Sequence, residues 1–121
     1  MNIRPDASEL LAIARQTLLD ELLPQLPGSL RYQALMVANA MAIAGREYSD
    51  GEAADAAESQ LLAALPDAVE ASLADARQAL CRAIRQGRFD EPGNDQDQLF
   101  AALSAITRAR LSISNPKGLA E

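Results

Sequence analysis

Apolar residues recur along this chain at three- and four-residue steps, the spacing that gathers side chains on one face of an α-helix. The first run opens at Asp6, where Glu9 three residues on completes a capping box, and continues through Ala7, Leu10, Leu11, Ala14, Leu18 and Leu22. Leu19 and Leu23 begin a second stripe, so this helix is expected to touch two neighbours. Pro24 cannot donate to the helical ladder, and Pro27-Gly28 marks a turn. Ser29 is the expected cap of a second helix reaching about Tyr48, in which only Asn39 is polar between Ala34 and Ala44. A helix apolar on every side belongs in the centre of a fold, and the alanines at 38, 40, 42 and 44 would let neighbours come close.

Three more helices follow by the same reasoning. Ser49 with Glu52 reads as a capping box for a third, carrying Ala54, Ala57, Leu61, Leu62 and Leu65 up to Pro66. Asp67 with Glu70 repeats the device for a fourth, with Val69, Leu73, Ala76, Leu80, Ala83 and Ile84 as its core side and Gly87 as its C-terminal cap. Residues 87–94 form an irregular loop. Asn94 then caps a fifth helix, with Leu99, Leu103, Ile106 and Ile113 inward and Phe100 beside them, stopped at Asn115-Pro116. Short turns favour antiparallel neighbours, so the expectation is an all-α, up-and-down bundle of four or five helices around the apolar helix at about 30–48, as one domain over 1–121.

Composition supports helices and removes much chemistry. Alanine fills 25 of the 121 positions and leucine 18, whereas valine, isoleucine and threonine together supply 10 and aromatics 4, too few for a sheet. Histidine is absent and Cys81 is the single cysteine, which excludes His-ligated metal, a Ser-His-Asp or Cys-His centre and an intrachain disulfide. The six glycines are scattered, so no phosphate-cradling loop exists, and no cofactor is expected. A net charge of -6 argues against nucleic acid and anionic membranes as partners. The twelve-residue near-apolar run at 34–45 falls short of the ~20 residues a bilayer span requires. The polar start Met1 to Pro5 and the lone cysteine suggest a cytoplasmic location.

Four groups remain as candidate chemistry. Cys81 flanks the fourth helix's core stripe near Arg77, Arg82 and Arg85, which would favour a reactive thiolate, although an inert buried thiol is the commoner case. Glu47, Asp50, Glu52 and Asp55 match in spacing the Glu-x-x-Asp pair of all-α nucleotide pyrophosphohydrolases, which hold divalent metal by carboxylates alone. The Glu-x-x-Glu pair those enzymes also use is missing, and Glu52 already has a capping role. Asn39, if buried, needs a partner for its amide, since an unsatisfied buried polar group costs ~1–3 kcal/mol. Arg31, at the head of the apolar helix, would need a carboxylate such as Asp6, Glu9 or Glu47, or would clamp an anionic ligand.

Three stretches carry a family resemblance. They are Arg4-Pro5-Asp6-Ala7-Ser8-Glu9-Leu10-Leu11, then Leu30 to Ala40 followed by Arg46-Glu47, and Leu111-Ser112-Ile113-Ser114-Asn115-Pro116 near the end. Together the chain resembles a bacterial family of small helical domains with no assigned function, whose members are often encoded beside or joined to aminoglycoside-phosphotransferase-like proteins and acyl-CoA dehydrogenases. The resemblance brings no catalytic residues. It implies an accessory role and adds weight to Arg31, Asn39 and the Asn115-Pro116 stop. The function expected is therefore that of a non-catalytic accessory or interaction protein docking onto a phosphotransferase-like enzyme of the same operon. The double apolar stripe of the first helix separately suggests pairing into a homodimer. Arg31, Asn39 and Arg46 are its candidate partner- or ligand-binding residues. The alternatives are a bundle binding an anionic small molecule between the first, second and fifth helices, and a carboxylate-metal nucleotide hydrolase.

Overall fold

The computed structural model describes residues 3–68 and 71–120, and among these there is helix and no strand. The all-α class is as the periodicity predicts. The described residues form four α-helices: α1 (Ala7–Thr17), α2 (Arg31–Ala63), α3 (Leu73–Arg85) and α4 (Asn94–Ser114). The chain divides into two compact units, one of residues 1–52 with 113–115 and one of residues 53–112 with 116–121.

In the first unit, α1 begins as its capping box requires, with the Asp6 side chain accepting from the Glu9 backbone N–H at 2.9 Å. The helix then loosens into one π-turn, Leu18–Leu22, and tightens into a 3-10 turn, Leu23–Gln25, that contains Pro24. Loss of the proline donor makes the α ladder impossible to continue there. A second 3-10 turn, Gly28–Leu30, leads into α2. The side chain of Arg15 crosses from α1 to donate its Nε–H to the Ala38 carbonyl at 3.2 Å, and the Ser49 hydroxyl donates to Ser8 Oγ, also at 3.2 Å. Among the described residues of this unit, Ala34, Ala38 and Ile113 are the buried hydrophobic ones.

The largest departure from the expected plan lies in α2. The predicted second and third helices are one continuous helix of 33 residues, about 50 Å long at 1.5 Å per residue. Ser49 and Glu52 have capping spacing but do not start a helix, because nothing between them breaks the ladder. Gly51 lowers helix propensity by about 1 kcal/mol without ending it. It sits buried beneath the Glu47 side chain, where an added Cβ would meet Oε1 at 2.8 Å.

The second unit is built on Leu62, Leu65, Phe89, Leu99 and Ala102, with Leu73, Ala76, Leu80, Ala83 and Ile106 packed around them. Its α3 starts at Ser72, whose hydroxyl accepts from the Asp75 N–H, and not at the expected Asp67. Asp67 instead lies in the turn after α2 with a positive φ of 62°, and Val69 and Glu70 lie outside the described residues. The helix ends as predicted at Gly87. With φ of +84°, this glycine donates its N–H to the Ile84 carbonyl while the Arg88 N–H reaches the Ala83 carbonyl, a Schellman closure. That turn delivers Phe89 into the core, a residue the sequence pattern left in a loop.

Among the described residues, the charged side chain buried in this unit is that of Glu58. Glu58 is only 5% exposed and receives two hydrogen bonds from the Arg77 guanidinium, at 2.5 and 2.9 Å. The Arg77 hydrogen bond holds the Glu58 carboxyl below its ordinary value of 4.5. Burial opposes this by pushing the value up, and the charges of Arg77 and Arg110 add to the lowering. A carboxylate whose folded value is depressed stabilises the fold fully above its unfolded value and loses that contribution as pH falls through the folded one. Glu58→Gln is accordingly expected to lose about 1–3 kcal/mol at neutral pH. Its melting temperature should also fall less steeply than the wild type's on acidification below pH 4.5. Parallel acid profiles for the two proteins would contradict this role.

Candidate functional site

The first unit leaves an unusual amount of apolar side chain in solvent. Of the large hydrophobic residues that are exposed, most belong to it: Leu10 and Ile13 on α1, and Leu30, Tyr32, Leu35, Met36, Val37 and Tyr48 at the head of or along α2. Helix geometry explains the distribution. Ala34 and Ala38 lie one above the other on the covered face of α2, where Arg15 reaches across and where Gly45 comes near Ser8. Tyr32, Met36, Asn39 and Ile43 follow at steps of four, three and four residues on the opposite face. Tyr32 is 71% and Met36 48% exposed, and Ile43 is half-buried. On α1, Ser8 and Arg15 turn inward while Leu10 and Ile13 occupy the far side, both more than half exposed.

The second helix was expected to be enclosed, and it is not. In the expected bundle a separate third helix would return antiparallel along it. Residues 49–63 belong to α2 itself, so no separate third helix begins at Ser49. Asn39, expected to be buried, is exposed, so its amide is open to solvent. Arg31 is exposed as well. The carboxylates named for it are otherwise engaged in two cases, with Asp6 capping α1 and Glu9 paired to Arg4 at 2.8 Å.

Arg46 is a different case. Its Nε–H donates to the carbonyl of Ile113 at 2.6 Å, and Ile113 is 1% exposed. Ile113 stands in the last turn of α4, whose final carbonyls have no helical partner. A guanidinium there supplies a donor and opposes the negative end of the helix dipole. Sequence alone placed Arg46 among candidate binding residues; a signal for its contact lay in the apolar residues leading up to Asn115-Pro116, which fix where α4 ends.

The carboxylates considered for metal lie on one helix instead of two. Among the described residues, no group of three or more Asp, Glu or Cys side chains gathers to hold a metal ion. Asp55 is drawn to cations of its own unit, 3.8 Å from Arg77 and 3.9 Å from Arg110. Cys81 is exposed on α3 and not buried beside the core stripe.

With this geometry in view, the family can be assigned. The family described as a domain of unknown function (DUF6285) matches residues 24–118. The chain belongs to this family. Its match spans α2, α3 and α4 entire, and so includes the exposed stripe of α2 and Arg46. No curated protein and no solved structure matches the chain.

The Arg46 contact makes a direct prediction. Arg46→Met keeps the aliphatic stem and removes the donor, and should destabilise the protein by about 1.5–3 kcal/mol, the range for hydrogen bonds to charged groups. Thermal unfolding reads this; an unchanged melting temperature would show that α4 ends without that support.

Proposed function

We propose that the chain is a non-catalytic accessory protein that docks onto another protein through the apolar surface of its first unit. The observation that supports this is the exposed stripe on α2, where Tyr32 and Met36 stand in solvent on a stretch without a charged residue from Tyr32 to Gly45. Soluble proteins seldom leave a contiguous apolar surface uncovered unless something binds there. Interface cores are enriched in tyrosine and methionine and depleted in charge, which is the composition of this face. Asn39 within it supplies a donor and an acceptor to a partner.

The partner proposed is a phosphotransferase-like enzyme of the same operon, as the family resemblance implies. The same surface on a second copy would give a homodimer, since an apolar stripe is complementary to itself. Residues Arg31 and Asn39 then act in recognition at the surface, and the reading places no chemistry on the carboxylates or on Cys81. The protein so described works in the cytoplasm.

Light scattering after size exclusion tests the proposal, with the chain alone and mixed with the enzyme encoded beside it. The wild type should form a complex at micromolar concentration. Met36→Glu, placed on an exposed face, should abolish it with unchanged helical circular dichroism, since a buried unpaired charge at an interface costs several kcal/mol. A chain that stays at 12.9 kDa alone and fails to bind the enzyme would refute the proposal. So would a Met36→Glu variant that associates as the wild type does.

A further inference from the structure

The second unit contains a cavity that the docking surface does not use. It has a volume of about 290 Å³ and lies between the end of α2 and α3, walled by Leu62, Leu65, Ala76, Leu80, Ala83 and Phe89. For comparison, a dry cavity of ~150 Å³ lined by apolar side chains accepts benzene, and ligand pockets begin near 300 Å³. The pocket opens to solvent on one side, where Ala68, Ala71 and Ala79 of its wall are exposed, and its floor is formed by the buried Leu62, Leu65 and Phe89. It persists here because α3 presents alanines at 76, 79 and 83 toward it where leucines would fill the space.

The mouth of the cavity carries Asp67, Gln86 and Arg88. Arg88 is held on both sides of its guanidinium, by Asp67 at 2.7 Å and by Asp95 at 2.9 Å, and it lies over the Phe89 ring at 5.3 Å. Its one positive charge is thus met by two negative ones. An anionic ligand would have to displace a carboxylate to reach Arg88, and would face the other at close range. A neutral or cationic group meets no such opposition, and finds the Gln86 amide and the outer oxygens of Asp67 as partners.

The geometry points to a binding site for a small hydrophobic molecule, of one or two rings in size, whose polar end is neutral or cationic. The hydrocarbon part occupies the space between Leu62, Leu80 and Phe89, and the polar end remains at the mouth beside Asp67 and Gln86. The reading is independent of the docking surface, since every residue invoked belongs to the second unit. It also differs from the anionic-ligand expectation at Arg31 and Asn39, in both place and charge.

Three probes of similar size separate the possibilities: indole, benzylamine and benzoate, each titrated to about 10 mM, where a ligand of millimolar Kd is largely bound. Indole and benzylamine should raise the melting temperature by a few degrees and shift the backbone amide resonances of Leu80 and Phe89, and benzoate should do neither. Ala79→Phe, at an exposed position on the cavity wall, should retain the helical spectrum and abolish both effects. If that variant fails to fold, the amide shifts in the wild type still decide, because they report the site directly. No shift with any probe at 10 mM, shifts confined to the first unit, or benzoate binding as tightly as benzylamine would each overturn the assignment.

Discussion

A helix ends where its ladder loses a donor or where the backbone turns out of the helical region, and proline positions largely set those points in this chain. Pro24 and Pro27 lie before α2, Pro66 follows it, Pro92 precedes α4 and Pro116 follows it. Between Pro27 and Pro66 no proline interrupts the chain, and one 33-residue helix fills the interval. Each compact unit takes part of that helix as its scaffold. The first packs α1 against Ala34 and Ala38, and the second builds its core from Leu62 and the side chains around it.

With no helix start at Ser49, the face of α2 that bears Met36 and Ile43 also carries the strongly exposed Tyr32. The alanine-rich face is closed by α1, whose Arg15 ties the two helices through the Ala38 carbonyl. Polar anchoring at helix ends and on helix backbones recurs in this protein: Arg15 on α2, Arg46 on the last turn of α4, and Gln96 on the Phe89 carbonyl. Such contacts fix register where the apolar side chains, mostly alanine and leucine, do not specify it. The second unit does the same with the buried Glu58, which the half-exposed Arg77 ties from α3 to α2.

Helix content was legible in the sequence because three- and four-residue spacing is a local property. The cap at Asp6, the glycine closure at Gly87 and the stop at Asn115-Pro116 are local too, and each is found. The break at Ser49 was misread for an instructive reason. A capping box satisfies donors at a helix start, but the same Ser and Glu spacing occurs inside a helix, where those donors already have partners. The expectation of an enclosed Asn39 and a partly buried Arg31 rests instead on the apolar run of α2, and both residues are exposed. Phe89 and the Glu58–Arg77 pair were not legible, because both depend on tertiary proximity across separate segments. The apolar run at 34–45 reads as an enclosed core helix, and the exposure of Leu35, Met36 and Val37 corrects that reading, because hydropathy shows what a helix could bury and not what covers it.

Docking through the first unit requires the α2 face of Tyr32 and Met36 to be open in the isolated chain and covered when a partner binds. Hydroxyl-radical footprinting with mass spectrometry measures this residue by residue, since methionine and tyrosine oxidise in proportion to solvent contact. At concentrations low enough for the chain to be monomeric, Tyr32 and Met36 should be modified readily and the buried Phe89 hardly at all. Addition of the partner should then protect the first two selectively. Protection of Tyr32 and Met36 equal to that of Phe89 in the dilute monomer would contradict the account, because it would mean that the chain covers this face by itself.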